Sequence, residues 1–95
     1  MALADRYNFE DLVNEAERLV MDELERQLGE RGALEGLEED LVLDMAAYAL
    51  NHVHPIYRVN LLGRLYAQNV TDEYRAELSS AVSVAIGKVL GEPAG

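Results

Sequence analysis

Apolar residues recur at steps of three and four in three separate stretches, and this period limits what the chain can become more than any single motif does. In residues 9–28, FEDLVNEAERLVMDELERQL, the stripe is Phe9, Leu12, Val13, Ala16, Leu19, Val20, Leu24 and Leu28, which predicts a helix over that span. Asn8 can cap its first turn, Glu10 and Asp11 suit the positive end of its dipole, and Gly29 with Gly32 closes it. GERGALEG, residues 29–36, reads as a connector whose glycines keep either neighbouring helix from growing through it.

A second helix is expected over about 38–51, with Glu38, Glu39 and Asp40 in its first turn and Leu41, Met45, Ala46, Ala49 and Leu50 facing inward. Small side chains at Ala46, Ala47 and Ala49 let another backbone come close, which suits a central helix or a dimer seam. Pro55 disfavours helical geometry at His54 and stops the run. Beyond it, IYRVNLLGRLYA reads as one or two short extended pieces broken near Gly63, with Tyr57, Val59 and Leu61 on one side, and so as a small hairpin. The last helix starts after the cap residue Thr71, carries Tyr74, Leu78, Ala81, Val82, Ala85, Ile86, Val89 and Leu90 on one stripe, and ends at Gly91. The expected fold is therefore mainly α: a small single domain over 1–95, frayed at 1–7 and 92–95, with three main helices and an irregular or short extended central connector.

Ninety-five residues build only a modest core, so a homodimer is expected as a source of further buried surface. The absence of cysteine excludes disulfides, thiolate catalysis and cysteine-zinc sites. A formal charge of -10 opposes binding to DNA or RNA backbones, which is driven by clustered lysine and arginine. With no apolar signal core near Met1 and no window long enough to span a bilayer, the reading is a cytoplasmic protein that does not enter a membrane.

Catalytic patterns are weak. Glu38, Glu39, Asp40 and Asp44 crowd one region, but they fit a solvated helix start. Ser79, Ser80 and Ser83 lie within the last helix with no histidine beside them in sequence, and no phosphate loop or nucleophile elbow is present. His52 and His54 invite a metal reading, yet two residues apart at a helix end they point about 200° from each other. No carboxylate follows them nearby, and Asp44 lies two turns back. They read instead as a helix-end cap or as imidazoles facing a ligand. No catalytic residue, metal ligand or cofactor is assigned.

The chain's most unusual feature is an acid-free window from Met45 to Thr71 between densely acidic flanks. Within it, Arg58 and Arg64 carry guanidinium forks suited to phosphate. Tyr48, Tyr57 and Tyr66 offer faces for a base, while His52 and His54 can donate to a phosphate oxygen. The competing reading is that the arginines pair with the acidic flanks and the tyrosines fill the core.

DMAAYALNHVHPIY, residues 44–57, resembles the signature of the late competence protein family ComFB, through Asp44, Ala49, Leu50, Asn51, Pro55 and Tyr57, with Gly63 at a position where relatives often have glycine. DLVNEAERLVMDEL and LSSAVSVAIGKVLGEP look like the family's first and last helices, so the likeness covers most of the chain. It implies a small helical, dimeric, cytoplasmic protein and, by likeness to cyanobacterial relatives, a receptor for cyclic di-GMP and in some cases cyclic di-AMP. One branch carries a zinc-binding cysteine cluster before the Ala-Leu-Asn helix; this sequence has none there. His54 stands where many relatives have a first proline, and Leu61-Leu62 where a more polar pair is common. The candidate ligand-binding residues are Asn51, His54, Tyr57, Arg58, Arg64 and Tyr66, and an effector protein would read the occupied state. The alternative is a dimeric helical scaffold that binds no nucleotide.

Overall fold

A computed structural model describes residues 2–59 and 70–91. In chain order these form two short 3-10 turns, Leu3–Asp5 and Phe9–Asp11, then strand β1 (Val13–Asn14), helix α1 (Ala16–Glu30), helix α2 (Glu39–Leu50), strand β2 (Tyr57–Arg58) and helix α3 (Asp72–Leu90). Three helices enclose the core. Its fully buried large side chains are Val20 from α1, Met45 from α2, and Val82 and Ile86 from α3, so each helix contributes to one contiguous cluster. Among the described residues no helix is long and apolar enough to cross a membrane.

The ends of α3 follow local chemistry closely. The Thr71 hydroxyl accepts from the Tyr74 amide, and Asp72 and Glu73 occupy the first turn. Gly91 takes φ 71°, the left-handed conformation that closes a helix and that a Cβ would strain. Helix α2 runs within a residue of its expected span and buries Met45 and Ala49. Helix α1 extends one turn position past Gly29, and Gly32 at φ 69° turns the chain away.

Two expectations need correction. The first helix begins at Ala16, seven residues later than its apolar period suggests, and Phe9 and Leu12 are about half exposed, at 50% and 46%. Val13 and Asn14 instead pair in antiparallel register with Arg58 and Tyr57, Val13 opposite Arg58 and Asn14 opposite Tyr57. The Asn14 side-chain oxygen accepts from the Ala16 amide and also from the Ile56 amide, while the Glu15 amide donates to the Ile56 carbonyl. An asparagine that satisfies the first turn of a helix and a distant strand together stops helical growth behind it. For the same reason the extended piece at Tyr57 and Arg58 is not half of a local hairpin but the partner of a strand more than forty residues earlier. The far side of that expected hairpin, including Leu61 and Gly63, lies outside the described residues.

Candidate functional site

The peptide from His54 to Arg58 is held from two sides. On one side β1 supplies the ladder, the Asn14 side-chain oxygen accepts from the Ile56 amide, and the Glu15 amide donates to the Ile56 carbonyl. On the other, α3 supplies two contacts: the Tyr74 hydroxyl donates to the His54 carbonyl at 2.8 Å, and His54 Nδ1 meets Glu77 Oε1 at 2.7 Å. Burial, and then the nearby Glu77 charge, pushes the Tyr74 phenol above its usual pKa, which keeps the hydroxyl protonated as a donor. Sequence alone assigned His54 no carboxylate partner; the helix packing brings Glu77 to it from twenty-three residues away.

His52 behaves as a helix-end cap. Its Nδ1 lies 2.7 Å from the Tyr48 carbonyl, and its ring stacks on the Tyr48 ring at 4.2 Å with planes 17° apart. The two histidines thus have separate partners, and among the described residues no group of three or more His, Cys, Asp or Glu is placed to hold a metal ion. Treatment with a chelator is expected to leave the melting temperature unchanged; a fall of several degrees, reversed by zinc, would contradict this reading.

Held in this way, the strip leaves His54, Pro55 and Tyr57 exposed and Ile56 and Arg58 half-buried. Tyr57 is 56% exposed and Val59 is also exposed, so neither fills the core. The Arg58 guanidinium is partly exposed, and among the described residues its one hydrogen bond is to the Tyr57 carbonyl, with no carboxylate paired to it. Arg18 and Arg26 on α1 are placed differently. Arg18 lies between Glu15 and Asp22, and Arg26 between Glu23 and Glu30, each pair within 3.3 Å. The Arg26 contact also holds the Glu23 carboxyl below its usual range, partly offset by burial. Among the described residues, then, the competing reading of the acid-free window is not met at Arg58, which is paired with no carboxylate of the flanks, or at Tyr57, which does not fill the core. Tyr48 and Tyr74, by contrast, do pack against the core.

Asn51 is exposed at the end of α2, directly before the strip. Arg64 and Tyr66 lie outside the described residues. The structure therefore brings Asn51, His54, Tyr57 and Arg58 into one connected stretch after α2. These four residues do not line the open grooves beside Arg18 and Arg75, beside Tyr48 and His52, or beside Arg26 and Arg31. Sequence reasoning missed Asn14, Tyr74 and Glu77, which position the strip. Asn14 reads as a solvated position of a helix, and Glu77 as one more carboxylate of an acidic face; no signal within a few residues marks either as a long-range partner.

In comparison with known families, residues 13–93 match the model of the late competence development protein ComFB. The chain belongs to the ComFB family. No curated protein matches it. The ComFB match includes β1, the strip and all three helices, whereas the apolar N-terminal turns with Leu3, Tyr7, Phe9 and Leu12 precede it.

Proposed function

We propose that this ComFB protein is a cytoplasmic, non-enzymatic receptor that binds a cyclic dinucleotide and passes its occupancy to a partner protein. The observation that carries the reading is Arg58, a guanidinium without a carboxylate partner among the described residues, beside an exposed tyrosine in a chain whose α1 arginines are committed to carboxylates. A guanidinium fork binds phosphate through two parallel hydrogen bonds, and a neighbouring aromatic face can take a base. The resemblance of residues 44–57 to the family signature points the same way. Calorimetry with cyclic di-GMP and cyclic di-AMP side by side tests it: saturable binding of either supports the receptor, and no heat from either favours the scaffold.

The homodimer belongs to this proposal too. Leu43 on α2 and Tyr7, Phe9, Leu12, Tyr57 and Val59 are large apolar side chains left exposed, which supports a second copy as a source of burial. Light scattering is expected to report about twice the 10.6 kDa chain mass, and a clean monomer at micromolar concentration would remove the dimer from the account.

A further inference from the structure

His52 lines an open groove of about 250 Å³ between α2 and α3, together with Tyr48, Glu77, Ser80, Ala81 and Val84. The volume lies below the roughly 300 to 1,000 Å³ of pockets that enclose a drug-sized ligand, so it suits one ring system rather than a whole dinucleotide. Of its polar groups, Glu77 and His52 act as acceptors, whereas the Ser80 and Tyr48 hydroxyls can donate or accept. Glu77 offers a carboxylate, which only accepts; one oxygen takes the His54 contact, leaving lone pairs for two further donors. His52 faces a carbonyl through Nδ1, which requires the proton there and leaves Nε2 of the neutral ring as an acceptor. Stacked imidazole and phenol rings form one wall, with Ala81 and Val84 as apolar surface.

We propose that this groove is a base-reading subsite that selects guanine over adenine, with Glu77 accepting the two N–H donors of guanine's Watson–Crick edge. Guanine presents N1–H and its N2 amino group side by side, whereas adenine presents an acceptor at N1 beside its one amino group, so a carboxylate satisfies the first edge and opposes the second. The inference rests on the receptor reading and assigns Glu77 as the residue that discriminates between the bases. Glu77 is tied to His54, and four extended residues carry the chain at most roughly 14 Å from His54 to Arg58, which bounds the chain span between the Glu77 contact and the strip's arginine.

The test is the ratio of affinities for cyclic di-GMP and cyclic di-AMP, measured by calorimetry on the full chain and on Glu77→Gln and Ser80→Tyr. Wild type is expected to prefer cyclic di-GMP. Glu77→Gln should weaken cyclic di-GMP about ten- to a hundredfold and cyclic di-AMP by less than about threefold, because a charge-assisted pair is lost for one ligand only. Ser80 is exposed, so Ser80→Tyr fills the groove without disturbing the core, and it should weaken cyclic di-GMP while the melt stays unchanged. Equal losses for both ligands in Glu77→Gln would mean that Glu77 only latches the strip through His54, and would overturn the subsite while leaving the receptor intact. Absence of binding by both ligands to wild type overturns the receptor reading and the subsite with it. Amide shifts at Ser80–Val84 caused by arginine amide but by neither nucleotide would assign the groove to a partner's guanidinium instead.

Discussion

Replacing Arg58 with alanine is expected to weaken cyclic dinucleotide binding about ten- to a hundredfold, since a charge-assisted hydrogen bond to phosphate contributes roughly 1.5 to 3 kcal/mol. A dinucleotide carrying two negative charges is opposed at long range by a chain of net charge -10, so local cations must overcome that field. Arg58 is placed for this because no carboxylate among the described residues neutralises it. Arg58→Lys should recover little, since a lysine keeps the charge and loses both the fork and the stacking plane. Tyr57→Ala should cost about 1 to 3 kcal/mol if its ring carries a base. Its 56% exposure makes an accompanying loss of fold a minor concern that a circular dichroism melt checks. Arg18→Ala and Arg26→Ala serve as controls and should change affinity little, because their guanidinium groups are held by flanking carboxylates. Essential α1 arginines together with a dispensable Arg58 would move the site off the strip.

The second large effect concerns stability. Ile86 is fully buried in the cluster shared by all three helices, so Ile86→Ala should destabilise the fold by about 2 to 5 kcal/mol through lost burial and the cavity left behind. A domain of this size holds only about 5 to 14 kcal/mol in total. The expected fall in melting temperature is roughly 8 °C or more, measured at fixed protein concentration in case dissociation contributes. Val84 lies two residues earlier on the same helix and is 41% exposed; Val84→Ala should stay within about 0.5 kcal/mol. Similar losses at both positions would mean that the α3 face bearing Val84 is covered in solution, as a dimer through that face would require.

The family connection was legible in residues 44–57, and the match over 13–93 agrees with it. The candidate site was legible only in part. Composition marked the acid-free window, and Tyr57 does emerge from it exposed and Arg58 partly exposed, but nothing in the window named what holds it in place. Asn14, Tyr74 and Glu77 come from β1 and α3, and their contacts depend on how those elements pack.

Some features follow from the sequence by itself because their causes act within four residues. The Thr71 cap, the carboxylates after it and the left-handed Gly91 set both ends of α3, and the Glu38–Asp40 run marks the start of α2. The stripes through Val20, Met45 and Ile86 likewise fix which faces are buried. Tertiary structure alone decided where α1 begins. Its apolar period continues back to Phe9, yet the chain leaves the helix there because Asn14 and Glu15 bond Ile56, a partner that exists only once the turn after α2 has been brought alongside β1. The same holds for His54 and Glu77, where a helix-end histidine acquires a carboxylate from another helix. Local period and capping act along the chain, whereas a hydrogen bond between residues 14 and 56, or 54 and 77, depends on helix packing that no short window contains.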